Sequence, residues 1–238
     1  MINLTIHTQP DDESCGPTSL HAIYNYYGLK ISLRRVMSNV AKSRSGGTLA
    51  SMLGQDALRH GFITELYANS VKIFDPTWFA ESGAGIKEHL IDKLEQQMQI
   101  KQSISLQQES KAYIEYLLLG GHINFKTINV QLLKEYFVQK IPIIAGLSAT
   151  YLYRSPREIY TEHGESMYDD IRGTPSGHFV VLCGYDDQHR LIVVADPHRA
   201  NPISHDNYYK VSSNRLINAI MLGVLTYDAD LLMIKPRC

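Results

Sequence analysis

Between Pro17 and Gly28 apolar residues recur at Leu20, Ile23, Tyr24 and Tyr27, the three-and-four spacing of a single helix face. Proline is tolerated in the first turn of a helix and glycine is a natural stop, so the pattern predicts a helix that opens at Cys15 and ends by Gly28. Helical spacing returns between Ser82 and Leu119, in "IKEHLIDKLEQQMQI" and "KAYIEYLLLG", and predicts two or more helices there. Ile141 to Leu147 is instead a short apolar run with a proline at its start, suited to a buried strand. Phe179 to Cys183 is rich in β-branched residues, "GYDDQHR" is a turn, and Leu191 to Ala195 is a second apolar run stopped at Asp196-Pro197. Together these predict a β-hairpin, with the Ile141 run beside it. Ser148 to Gly177 reads as one long aromatic and charged connection leading to His178.

These placements single out candidate chemistry. Cys15 stands at a helix N-terminus, where unpaired backbone N–H groups and the helix dipole favour a thiolate. A lone cysteine before a helix is otherwise a packing residue, but the preceding "QPDDES" is polar and turn-forming, which sets the sulfur at a surface cleft. Antiparallel pairing brings His178, at the start of the first hairpin strand, beside Asp196, at the end of the second. A carboxylate on one imidazole nitrogen fixes the tautomer and stabilises the imidazolium, as a cysteine-activating histidine requires. Asp186 and Asp187 lie in the turn at the far end and cannot orient that ring. Gln9, six positions before Cys15, supplies a side-chain donor for an oxyanion, together with the Cys15 backbone N–H. In the long connection, Tyr153, Arg154, Tyr160, Tyr168 and Arg172 are candidate substrate contacts.

Composition narrows the alternatives. With 238 residues, 44% hydrophobic and 20% charged, the chain suits one globular domain over 1–238, with a helical insertion at about 82–119 and a long loop at about 148–177. A formal net charge of −1 gives no global field for nucleic acid or an acidic membrane surface. The N-terminus lacks a basic n-region and no segment approaches the roughly 18 apolar residues of a membrane span, so a cytoplasmic protein is expected. Cys15, Cys183 and Cys238 are odd in number and lack CxxC spacing, which predicts free thiols, with Cys183 in the core and Cys238 in a mobile tail. A zinc site from His178, His198, His205 and Asp196 lacks any HExxH pattern, and "SRSGGTL" lacks the lysine of a phosphate loop. That glycine-rich stretch reads as a loop into a helix with Thr48 as cap, and no cofactor or metal is expected.

Gln9, Cys15-Gly16-Pro17, His178-Phe179-Val180-Val181-Leu182 and Asp196-Pro197, in that order, resemble the papain-like peptidases typified by the bacteriocin-leader-processing, double-glycine peptidase domains. "GGTLASMLGQDALRHGF", Gly46 to Phe62, is similar to a helix of that family. "NRLINAIMLGVLTYDADLLMIKP" and "YDDIRGTPSGHFVVLCGYD" look like a bacterial subgroup associated with RimK-type ATP-grasp ligases. The resemblance implies a papain-like α+β fold, an N-terminal catalytic helix packed on an antiparallel sheet. It implies a cysteine peptidase or amidase acting on a peptide or isopeptide through Cys15, His178, Asp196 and Gln9, with substrate contacts at Gly16, Gly177, Tyr153 and Arg154. An ATP-grasp ligase is the partner it suggests. The same triad would serve an acyl- or peptidyl-transferase, and a module that only holds a peptide would use the same cleft, so these alternatives stay open.

Overall fold

In the computed structural model, which describes residues 1–43, 47–160, 166–225 and 229–237, the predicted hairpin lies within a larger sheet. The first helix, α1 (Cys15–Tyr26), ends two residues before Gly28, whose positive φ of 81° suits glycine. It is followed by α2 (Leu33–Asn39), α3 (Ala50–Arg59) and strand β1 (Ile63–Ala68). The helical pattern of the next segment forms α4 (Lys87–Ile100) and α5 (Ile104–Leu118), which bury Leu90, Leu94, Leu106, Tyr116 and Leu117. Then come β2 (His122–Asn124), α6 (Val130–Val138), β3 (Ile143–Ser148) and α7 (Ala149–Tyr153). The remainder is β4 (Glu158–Tyr160), β5 (Ser166–Tyr168), β6 (Gly177–Asp186), β7 (Leu191–Ala195), β8 (Tyr208–Ser212), α8 (Ser213–Leu222) and β9 (Asp230–Lys235).

The large sheet has the order β2-β1-β9-β3-β6-β7-β8, antiparallel except for the β1–β2 pair. Alternation along β6 divides the core in two. Phe179, Val181 and Cys183 pack with Leu20 and Ile23 of α1, Leu53 of α3 and Tyr116 of α5. Val180 and Leu182 pack on the opposite face with Leu133 of α6, Leu152 of α7 and Leu216 of α8. Each fully buried side chain of this kind contributes roughly 1.5–3 kcal/mol.

Three local features set α1 against β6. Ser19 Oγ donates to the Phe179 carbonyl at 3.3 Å. Gly16 lies so close to its neighbours that a Cβ there would stand 2.4 Å from Thr48 Cγ2 and 3.3 Å from Phe179 Cδ2. Across β6 and β7, Val181 faces Ala195, and an irregularity between Leu182 and Gly184 leaves the Cys183 carbonyl to accept from Ile2 N at 2.8 Å.

Two expectations are corrected. Residues 148–177 are not one irregular connection: Ser148 caps α7 by accepting from Tyr151 N, and β4 pairs with β5 as a small separate sheet. The Glu158 carboxylate ties this hairpin down, accepting from Ser166 Oγ at 2.6 Å and Ser176 Oγ at 3.0 Å. Thr48 does not cap α3; its hydroxyl donates to the Ala41 carbonyl at 3.0 Å, while Leu49 occupies the cap position without a side-chain bond. Gly46 and Cys238 lie outside the described residues.

Candidate active site

Register carries the two ends of the hairpin together. Val181 opposite Ala195 places His178 and Asp196 at the same end of the β6–β7 pair. His178 Nε2 lies 2.8 Å from Asp196 Oδ1, with both side chains buried. Because α1 is seated on β6, its first residue, the half-buried Cys15, arrives at the same end of the sheet, where its side chain acts electrostatically on His178. With Nε2 taken by Asp196, Nδ1 is the ring nitrogen left to face the sulfur.

Asp196 is the hub. Its Oδ1 also accepts from His198 N at 2.8 Å, and its Oδ2 accepts from the hydroxyls of Tyr153 and Tyr209, each at 2.7 Å. Its backbone is clamped by Asn207, which donates Nδ2 to the Asp196 carbonyl and accepts from Asp196 N, both at 2.7 Å. Burial alone would raise the carboxyl pKa, but the His178 charge and the hydrogen bonds from His178, Tyr153 and Tyr209 outweigh it and hold the group ionised. Burial would likewise keep His178 neutral, yet the charge and hydrogen bond of Asp196, then Cys15, raise its pKa to about 10. His198, 6.3 Å away ring to ring, is pushed the other way, by burial and then by the His178 charge.

The remaining predicted residues are distributed around this couple. Gln9 is held beside it by its backbone N–H, which donates to the Pro197 carbonyl at 2.9 Å. Its side-chain amide donates to the Asp11 carbonyl at 2.9 Å, and its Oε1 is buried without a partner. An amide nitrogen carries two donors, so one remains free. A cavity of about 510 Å³ opens at this edge, lined in part by Gln9, Asp11 and His198. Gly177 is exposed next to His178, whereas Gly16 is buried against α3 and β6, where its missing side chain serves packing.

Tyr153 is turned to Asp196, so its hydroxyl holds the carboxylate and is not free for substrate. Arg154 lines a different cavity. Tyr168 is exposed on β5, Arg172 is paired with Asp169 at 2.6 Å, and the side chain of Tyr160 lies outside the described part. Asp186 binds Lys210 and His189, and Asp187 binds Lys134, at the far end of the hairpin. Tyr209 and Asn207 are absent from the sequence reading, and His198 enters it only as a rejected zinc ligand. Tyr209 had a usable signal, since β8 alternates exposed and buried and its second residue points inward.

No curated protein matches the chain. Among solved structures it is similar to the peptidase domain of Streptococcus ComA, described as a bifunctional ABC transporter involved in quorum sensing, at 13% identity and a TM-score of 0.44, covering 99% of this chain and 100% of that one. It is also similar to a double glycine motif protease from an AMS/PCAT transporter in complex with its leader peptide, at 15% identity and a TM-score of 0.44, covering 99% and 94%. A third is xylellain, a cysteine protease from Xylella fastidiosa, at 13% identity and a TM-score of 0.43, covering 98% and 83%. Residues 1–217 match the model of the Peptidase_C39 like family, and the chain belongs to that family of cysteine peptidases.

Proposed function

We propose that Cys15, His178 and Asp196 form a catalytic triad that hydrolyses a peptide or isopeptide bond through a thioester. The observation that carries this reading is the 2.8 Å bond between His178 Nε2 and Asp196, at the end of β6 on which α1, opening at Cys15, is seated. The Cys15 proton passes to His178, giving a thiolate beside an imidazolium that the buried carboxylate stabilises. The thiolate attacks the amide carbonyl, and the Cys15 backbone N–H with the free donor of Gln9 receives the oxyanion. His178 then gives its proton to the leaving amine, and water, deprotonated by the same imidazole, cleaves the thioester.

Gln9 keeps its bond to the Asp11 carbonyl, which fixes the amide, and offers the second hydrogen of the same nitrogen. Tyr153 and Tyr209 act as positioning residues through Asp196. The test is hydrolysis of a mixed synthetic peptide library, read by mass spectrometry, with wild type and Cys15→Ala side by side. Loss of all cleavage products in a folded Cys15→Ala protein is expected. Cleavage at the wild-type rate by that variant would end the triad reading.

A further inference from the structure

On the α7–α8 side of the sheet is a second cavity, of about 630 Å³, whose wall includes Arg154, Arg157 and Arg215 together with Thr150 and Asn218. Guanidiniums gathered around one space repel one another, and normally carboxylates intervene. Among the described residues no carboxylate forms an ion pair with Arg154 or Arg215. Arg157 donates to the Asp170 backbone carbonyl, which leaves its charge unneutralised by that bond. Burial and then the charge of Arg154 make the Arg215 guanidinium less basic than usual. Its Nε is buried with no hydrogen-bond partner, a donor without an acceptor.

Arg154 ends α7 at φ 55°, ψ 38°, a positive φ that Lys140, Arg190 and His205 share elsewhere in the chain. The cavity approaches the triad through neighbouring residues, with none of Cys15, His178 and Asp196 on its wall. Ser148, on its wall, stands opposite Gly177 in the β3–β6 register, next to His178, and Tyr153, directly before Arg154, bonds Asp196.

We propose that this cavity is a substrate subsite that grips a peptide carboxylate, an acidic side chain or a free C-terminus, with the guanidiniums of Arg154 and Arg215. It rests on the peptidase reading above, and it makes the enzyme selective for substrates that carry a negative charge near the scissile bond. Planar guanidinium forks match a carboxylate in two parallel hydrogen bonds, and the polar Thr150 and Asn218 complete a lining suited to a charged group.

The test reads binding without turnover, using the Cys15→Ala protein and fluorescein-labelled hexapeptides followed by anisotropy. The peptides carry Glu or Gln at the penultimate position and end in a free carboxylate or an amide, so the two sources of the carboxylate are separated. One carboxylate arm should bind roughly tenfold more tightly than its neutral counterpart. Arg154→Gln and Arg215→Gln should each erase that preference in proteins that melt normally. Arg154 is exposed, so its substitution keeps the test decisive where Arg215→Gln harms folding.

Equal binding of all four peptides, no binding, or a preference that survives Arg154→Gln would overturn the proposal. So would competition by inorganic phosphate at lower concentration than by glutarate, which would mark a phosphate site instead. An arginine-dependent preference in a protein whose Cys15 proves not to be the nucleophile would locate the failure in the triad reading and leave the subsite standing.

Discussion

Asp196→Asn keeps the shape of the hub and removes its charge, and its effect can be worked from the site. In the native protein the carboxylate accepts four hydrogen bonds, from His178, His198, Tyr153 and Tyr209. The rise of the His178 pKa from 6.5 to about 10 corresponds to roughly 5 kcal/mol of preference for imidazolium. Without the carboxylate charge, burial is the largest remaining influence and it favours the neutral ring. The ring is then a poorer and less well held base for Cys15. For a cleavable peptide, kcat/KM at pH 7.5 should fall by roughly a hundredfold or more in an Asp196→Asn protein whose folding is confirmed by circular dichroism. Asp186→Asn, whose carboxylate is bound to Lys210 and His189, should leave the rate unchanged. A wild-type rate in Asp196→Asn would refute the idea that this carboxylate orients and charges the imidazole.

Stability carries three further predictions. Asp230, buried beside Glu109, has its pKa raised to about 7, first by burial. A carboxyl raised in the folded state lends its stability fully below the unfolded pKa of 3.8 and loses it as pH rises through about 7, so Asp230→Asn should stabilise relative to wild type above pH 7. The gain is on the order of 4 kcal/mol at most; urea melts at pH 5 and pH 8 with no widening gap would contradict it. Gly16→Ala should lower stability by about 1–3 kcal/mol, since its Cβ would press on Thr48 and Phe179, and a melting temperature equal to wild type would show that α1 can shift freely. Cys183→Ala should cost about 1 kcal/mol in the core while leaving Cys15 alkylation intact, a contrast read by melts and mass mapping on the same sample.

The elements that place the proposed triad were legible because their signals are local. Leu20, Ile23 and Tyr24 mark one helix face within a few residues, and the two β-branched runs belong to strands joined by a short polar turn at residues 187–190, shorter than the seven residues of "GYDDQHR" because Gly184 to Asp186 pair within β6. The residues that complete the site depend on distant partners. Tyr209 is one tyrosine among 15, and its meaning appears only when β8 folds onto β7 and aims the hydroxyl at Asp196. Tyr153 was legible as a residue near the site, but not its partner, because whether its ring faces substrate or carboxylate depends on how α7 turns after Ser148. The strands β4 and β5 are three residues each, too short for alternation to emerge, and they exist through pairing and the Glu158 anchor. β9 enters the sheet between β1 and β3, a placement that no local pattern encodes. Thr48 lies where a cap belongs, but a tertiary acceptor, the Ala41 carbonyl, takes its hydroxyl.

Trapping the covalent intermediate tests the nucleophile most directly. Wild-type protein mixed with cleavable peptides and quenched in acid should show, by intact-mass spectrometry, an acyl adduct that hydroxylamine removes and that maps to Cys15, with none on Cys183. His178→Ala should show no such adduct under the same quench. Peptides hydrolysed with Cys15 unmodified at every time point, or an adduct on another residue, would contradict a thioester formed by Cys15.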